Sequence, residues 1–135
     1  MSAQNIEIVR LLLDAWAGEA PRGALAYMHE DVTFDTSTRP DGKIWRGPRA
    51  VGEAMIEWSE IWDEHEVRYG ELLEAADGRV ALLWSESGRA KHSGVEMSQD
   101  GVSVFTLSGG LVSAMVVSVD RDGTLAMLGL ASGGE

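Results

Sequence analysis

The sequence predicts a single α+β domain, in which helices come first and cover an antiparallel sheet. Two observations lead to this prediction. Apolar residues recur at helical spacing over residues 3–62, with one short alternating segment between the helices. From residue 66 onward the period falls to about two, and Gly-containing turns divide the chain into successive strands. Helices that lie on one face of such a sheet define the α+β class.

Two helices and a short strand are predicted before the first turn. Residues 3–17 form an amphipathic helix, because apolar side chains recur at spacings of three and four. A second, short helix runs from Pro21 to about Met28, since proline suits the first helical turn. Polarity then alternates from Asp31 to Thr38, which is typical of a strand.

A third helix is predicted to begin at Gly47–Pro48 and to carry an apolar stripe as far as Trp62. The residues of this stripe are Val51, Ala54, Met55, Trp58, Ile61 and Trp62. The acidic stretch 57–66 is expected to form the solvated face of this helix and its exit loop, because charge runs are usually solvated.

Four strands follow, at 66–76, 79–92, 95–108 and 111–119. The Asp77–Gly78 pair is among the strongest local signals, since this dipeptide favours a two-residue hairpin turn. Glycines at 88 and 101 predict β-bulges and strong curvature.

The last part of the chain is expected to close the domain. Residues 124–130 form a short closing helix, and 131–135 a flexible tail, so the core of the single domain 1–135 spans about 4–130.

Composition narrows the classes of partner. The net charge of −11 disfavours binding to nucleic acid and to anionic membranes. The chain has no cysteine and no apolar run of membrane-spanning length, so we expect a reducing, cytoplasmic location and no membrane partner. Three scattered histidines predict no metal site, and no phosphate-binding loop is present, so no cofactor is expected.

Several short stretches, in order along residues 4–130, resemble the nuclear transport factor 2-like superfamily, and most closely its SnoaL-like branch. These stretches are Asn5–Arg10, His29–Phe34, Trp45–Pro48, Leu73–Val80, Ser93–Glu96, Val104–Leu107, Asp120–Asp122 and Gly129–Leu130. The resemblance implies a cone-shaped fold, with a strongly curved antiparallel sheet closed by three N-terminal helices around an apolar pocket. It also implies a homodimer through the outer sheet face, but no single chemistry.

The resemblance allows a comparison with ketosteroid isomerases of the superfamily. Their catalytic base falls at Thr36, their tyrosine at Leu11 and their oxyanion-binding acid at Ser103, so none of the three is matched. Asp35, next to the base position, is the candidate catalytic residue, since burial would raise its pKa and suit it to proton transfer. The alternative is an exposed strand carboxylate.

The same alignment and the helical stripes predict the pocket walls, although these residues would also suit an ordinary core. The predicted ligand-binding residues are Leu11, Ala15, Phe34, Met55, Trp58, Trp62, Leu83, Phe105, Met115 and Val117, with Thr36 and Ser103 as hydroxyl donors. Trp84, of opposite strand parity to Leu83, is expected on the outer face as a dimer contact. Arg89 is either an anion-binding residue or a surface arginine.

Three functions stay open at this point. The first is cofactor-free acid/base chemistry on a small apolar molecule, of isomerase, cyclase or dehydratase type, with Asp35 as the base. The second is non-catalytic binding of such a molecule, and the third is a dimerisation module with a filled interior. His65 and His92 are plausible proton carriers, but both are expected in solvent near turns.

Overall fold

The computed structural model describes residues 2–18, 21–39 and 42–130, so the expected tail lies outside the described residues. Its helices are α1 (Ser2–Ala17), α2 (Pro48–Glu60) and α3 (Arg121–Met127), with a 3-10 helix at Pro21–Tyr27. Its strands are β1 (Met28–Asp35), β2 (Ile44–Arg46), β3 (Trp62–Glu74), β4 (Val80–Ala90), β5 (Glu96–Ser108) and β6 (Leu111–Ser118). Within the described ranges, none of the helices has the length and apolarity needed to cross a membrane.

The strands form one six-stranded sheet in the order β2-β1-β6-β5-β4-β3. All neighbours are antiparallel except β1 and β6, which run parallel. The predicted α+β class and the predicted meander of four strands are confirmed. The short strand β2 was not predicted, because three residues are too few to show an alternating pattern.

Apolar side chains cover both faces of the sheet. On one face, α1 and α2 pack through residues such as Val9, Leu12 and Val51. On the other face, Leu125 and Leu128, at and just after α3, pack against side chains of β4 and β5. Strand β4 is therefore buried on both sides along Val80–Trp84, and its sequence is continuously apolar there rather than alternating.

The predicted parity of β4 is wrong for this reason. Leu83 lies on the face covered by α3, away from the predicted pocket. Trp84, expected outside as a dimer contact, is instead 7% exposed and packs in the helix-covered core. The residues that share the inner face with Trp84 are Leu82 and, two positions further, the buried Glu86.

Gly101 is not at a bulge, contrary to prediction, because pairing between β4 and β5 runs without a shift through Trp84↔Gly101 and Gly88↔Met97. A bulge does occur at Gly88, but in its pairing with β3, where two residues stand opposite it. Both glycines also make room for tryptophan rings. A Cβ at Gly101 would collide with the indole of Trp84, and a Cβ at Gly88 would lie 2.9 Å from Cε3 of Trp62.

Several boundaries differ from those predicted. Helix α2 ends at Glu60, so Trp62 begins β3 instead of closing the helical stripe. The expected exit loop is thus part of a strand. Strand β1 begins at Met28, three residues before the predicted start, and the closing helix begins at Arg121 because the Asp120 carboxylate accepts a hydrogen bond from the Gly123 N–H.

The close approach of Trp84 to Gly101 gives a stability test. We expect Gly101→Ala to lower the free energy of unfolding by about 1–3 kcal/mol or more, because the new methyl must displace the indole or the backbone. Gly23→Ala is the control, since a Cβ there would make an ordinary contact of 3.9 Å. Urea denaturation of both variants measures the effect, and equal midpoints would contradict the packing role assigned to Gly101.

Candidate functional site

A cavity of about 350 Å³ lies between α1, α2 and the concave face of the sheet. Its wall is mostly apolar, and such a volume suits a small organic molecule. Leu12, Leu13 and Trp16 come from α1, and Met55 and Trp58 from α2. The remaining wall comes from the sheet strands β1 and β3–β6 and from the chain that follows β1.

The structure brings together about half of the predicted site residues. Those that line the cavity are Phe34, Met55, Trp58, Ser103, Phe105, Met115 and Val117. Those that do not are Leu11, Ala15, Asp35, Thr36, Trp62 and Leu83. Whether the first group binds a ligand stays a prediction.

Three residues of α1 and β4 that were predicted to line the cavity lie outside it for simple physical reasons. Leu11 is 39% exposed, because the cavity-facing side of α1 carries the next two leucines instead. Ala15 is partly buried and packs against the core without reaching the cavity. Leu83 points through the sheet to α3.

Asp35 does not have the shielded environment that was expected. Its carboxylate accepts hydrogen bonds from the hydroxyl and the backbone N–H of Ser37, at 2.6 and 2.9 Å. These two bonds lower the pKa of Asp35, where burial was expected to raise it. The side chain is partly exposed and lies outside the cavity.

A different carboxylate, Glu86, is buried beside the cavity with 5% of its surface exposed. Its Oε2 accepts hydrogen bonds from Trp58 Nε1 and His65 Nε2, each at 2.7 Å. Its Oε1 accepts one from Gln99 Nε2 at 2.9 Å. Trp58 and His65 both line the cavity, so the network joins the buried charge to the cavity wall.

The hydrogen bonds decide the charge state of Glu86. Burial by itself would raise the pKa of this carboxyl, but the donors Trp58, Gln99 and His65, together with attraction to His65, hold the pKa below its ordinary value. Glu86 is therefore ionised at neutral pH and can only accept hydrogen bonds. It follows that His65 carries a proton on Nε2.

A β-bulge in β3 aims His65 at Glu86. Register between β3 and β4 shifts between Asp63 and Glu66, so that two residues, Glu64 and His65, stand opposite Gly88. Glu64 adopts the left-handed backbone conformation, with φ of 54°. The His65 ring then stacks on Trp62, with centroids 5.2 Å apart, and its side chain is 17% exposed. The expectation that His65 lies in solvent is wrong.

Three further polar side chains reach the cavity. Arg39 lies on Trp58, with its guanidinium carbon 3.9 Å from the ring centroid. Tyr69 stays protonated at neutral pH: desolvation and the charge of Glu86 raise the pKa of its phenol, although 44% of the residue is exposed. Ser103 accepts a hydrogen bond from Trp84 Nε1 at 3.0 Å, which leaves its own hydroxyl proton to donate.

A second cavity of about 500 Å³ lies beyond Arg39 and Trp58, which line both cavities. The predicted residues Thr36 and Trp62 lie here instead of in the first cavity. The Thr36 hydroxyl is already satisfied, since it donates to the Lys43 carbonyl at 3.0 Å. Arg89 forms an exposed ion pair with Glu64 at 3.0 Å, so it is a surface arginine.

Sequence reasoning therefore missed the polar half of the site. Glu86, Arg39 and Tyr69 were not singled out, and His65 was placed in solvent. One signal was present: Trp84 and Glu86 share a strand face, and a carboxylate next to a run of buried residues is uncommon. No three acidic or histidine side chains in the described parts of the chain are grouped to hold a metal ion.

The fold is that of nuclear transport factor 2-like proteins. An NTF2-like protein from Burkholderia xenovorans LB400 superposes with a TM-score of 0.72 at 24% identity, over 95% of this chain and 97% of that one. The sequence model of the SnoaL-like domain matches residues 9–115. The chain therefore belongs to the SnoaL-like domain family, as the resemblance predicted.

Two other solved structures of similar fold contain small molecules. TerC, co-crystallised with polyporic acid, has a TM-score of 0.70 and 19% identity, over 93% of this chain and 97% of that one. A protein of ketosteroid isomerase-like fold from Catenulispora acidiphila DSM 44928, in complex with trimethylamine, has a TM-score of 0.69 and 18% identity, over 92% and 93%. At these identities the likeness shows the fold alone. A search of curated proteins gives no match.

The Glu86 network makes stability depend on pH. A carboxyl whose pKa is lower in the folded than in the unfolded chain contributes stability above its unfolded pKa, and loses it as pH falls through the folded pKa. We expect Glu86→Gln to lower the free energy of unfolding at pH 7 by about 2 kcal/mol or more, because an amide cannot accept from all three donors.

The control for this variant is Glu60→Gln, which removes the same charge at an exposed position on α2. Urea denaturation at a series of pH values measures both. The difference between wild type and Glu86→Gln should shrink as pH falls below the ordinary glutamate pKa of about 4.5. A difference that is constant with pH would contradict an ionised Glu86.

Proposed function

We propose that the cavity binds a small, largely apolar molecule and that His65, held by Glu86, transfers a proton to or from it without a cofactor. The observation behind this proposal is the 2.7 Å hydrogen bond between His65 Nε2 and a buried, ionised Glu86, at the wall of an otherwise apolar cavity. A histidine oriented by a carboxylate is a recurrent general base in enzymes.

The hydrogen bond of His65 indicates which of its ring nitrogens can accept a proton from the ligand. Nε2 of His65 donates to Glu86, so in the neutral ring the lone pair is on Nδ1, which makes no hydrogen bond within the described part of the chain. Nδ1 accepts a proton from the ligand, and the charge that develops on the ring is stabilised by Glu86. The same nitrogen then returns the proton to another atom of the ligand, as isomerisation, cyclisation and dehydration all require.

Charge that develops on a ligand oxygen has donors nearby. The phenol of Tyr69 and the free hydroxyl proton of Ser103 both face the cavity, and both are protonated at neutral pH. Removal of a proton from a carbon next to a carbonyl produces an enolate, and donors fixed in place before reaction stabilise it. In ketosteroid isomerases a tyrosine and an acid donate these hydrogen bonds, from the positions that Leu11 and Ser103 occupy here. In this chain Tyr69 and the Ser103 hydroxyl take over that role.

The similar structures support a small-molecule ligand in this fold, since TerC was crystallised with polyporic acid and the Catenulispora protein with trimethylamine. Non-catalytic binding of such a ligand is the alternative. Asp35 stays the base predicted from sequence, and its place outside the cavity is why His65 is preferred here. A cytoplasmic location likewise stays a prediction.

The proposal is tested with 2-tetralone, a bicyclic apolar ketone whose acidic C–H protons exchange with D2O. We expect the wild type to accelerate this exchange, and His65→Asn to slow the catalysed rate about 100-fold, because general-base catalysis contributes at least that much. Binding, followed by tryptophan fluorescence, should change little in His65→Asn. Proton NMR of the ketone in D2O measures the exchange rate.

Asp35→Asn is the matched control, because it also replaces a titratable side chain by an amide, and its rate should equal that of the wild type. A loss of exchange in Asp35→Asn, with full activity in His65→Asn, would assign the base to Asp35. Bound tetralone with no acceleration over buffer would leave the non-catalytic alternative. Absence of binding would refute a ligand cavity of this kind.

We also propose a homodimer through the outer sheet face. Val116 supports it: its neighbours Met115 and Val117 face the core, so Val116 projects outward and is 39% exposed. Light scattering should give twice the monomer mass, and Val116→Lys should give monomers. Ile56→Lys on α2, an equally exposed position away from the sheet, should leave the dimer intact. A monomeric wild type would overturn this proposal.

A further inference from the structure

Arg39 is a charged side chain of the cavity wall that proton transfer by His65 does not use. It lies partly buried at the wall shared by the two cavities, stacked on Trp58 at 3.9 Å and 6.0 Å from the centroid of Phe34. Burial lowers the pKa of the guanidinium, and the negative charge of Glu86 opposes this. An arginine remains protonated at neutral pH, so the wall carries a permanent positive charge.

Among the residues that the structure describes, none accepts a hydrogen bond from this guanidinium. No side-chain hydrogen bond, and no ion pair within 4.0 Å, joins the guanidinium of Arg39 to any residue that the structure describes; only its backbone is bonded, to Thr36 and Gly42. Glu86, the buried carboxylate nearby, already accepts from Trp58, His65 and Gln99. A guanidinium has five N–H groups in a planar fork, and leaving them without acceptors in a partly buried site is unfavourable.

We propose that Arg39 binds a planar oxyanion of the ligand, so that the substrate class is an apolar molecule with a carboxylate or an equally acidic oxygen. This inference rests on the proposed function, because it assumes that the cavity holds a small molecule. The planar fork of arginine matches the two oxygens of a carboxylate. The face of Trp58 holds the guanidinium, so little side-chain freedom is lost when the anion binds.

The arrangement also orients the ligand. Trp58 separates Arg39, on its ring face, from Glu86, on its N–H edge. An anionic group is attracted to Arg39 and repelled by Glu86, so it is held on the Arg39 side of Trp58. The apolar skeleton then extends along Phe34, Met55 and Phe105, within the cavity that His65 also lines.

The test compares naphthalene-2-carboxylate with naphthalene-2-carboxamide, which have the same apolar skeleton and planar head groups of similar size. Tryptophan fluorescence measures both dissociation constants at pH 7. We expect the wild type to bind the carboxylate at least about tenfold more tightly, because charge-assisted bidentate hydrogen bonds are stronger than neutral ones. In Arg39→Gln this preference should fall to about twofold or less, with little change in affinity for the amide.

Arg10→Gln is the matched control, because it removes the same charge from an exposed position on α1, and its preference should equal that of the wild type. Arg39→Lys keeps the charge without the fork and should keep only part of the preference. If Arg39→Gln does not fold, as judged by circular dichroism, the wild type and Arg39→Lys decide the matter.

The outcomes separate this inference from the function on which it rests. Equal affinities of the wild type for the two probes would overturn the anion site and leave the ligand cavity intact. A preference for the carboxylate that persists in Arg39→Gln would also overturn it, since another group would then bind the anion. If neither probe binds, the ligand cavity itself is refuted, and the anion site with it.

Discussion

The buried carboxylate of Glu86 is the constraint on which the geometry of the cavity depends. Burying an ionised group without partners in a protein interior costs on the order of several kcal/mol of free energy. Glu86 is stable there because donors from three other elements meet it: Trp58 on α2, His65 on β3 and Gln99 on β5. The same bonds hold α2 over the sheet, so the charge and the shape of the cavity are not independent.

Trp58 explains how the site keeps two opposite charges without neutralising them. The edge of an indole ring is electropositive and its face is electronegative. Here the N–H edge donates to Glu86, and the face lies under the guanidinium of Arg39. Each charge is therefore stabilised by a different part of one side chain. Neither phenylalanine nor tyrosine could replace tryptophan in both contacts. Phenylalanine has no hydrogen-bond donor, and the hydroxyl of tyrosine lies at a different place on its ring than the indole N–H.

The order of the elements and the cavity walls on α2 and β6 could be predicted from the sequence, because each of these two elements has one solvated face and a clear period. The walls on β5, which is buried on both faces there, were predicted through the family alignment. The parity of β4 could not. Ala81 and Leu83 pack under α3, while Leu82 and Trp84 face the cavity, so apolar residues occupy both sides and alternation carries no information. The inward position of the His65 side chain could not be predicted either. It depends on a β-bulge in β3, which forms only when β3 pairs with β4 opposite Gly88.

The location of the bulge bears on whether the interior is a site or only a core. Glu64 is the only non-glycine residue with positive φ in the described part of the chain, a conformation that costs about 1 kcal/mol or more. It stands directly before His65, whose hydrogen bond to Glu86 needs the register shift. A filled, dry core requires neither a histidine nor a strained strand at this place. Local strain beside a polar group on a cavity wall therefore favours a site that acts on a ligand over a dimerisation module with a packed interior.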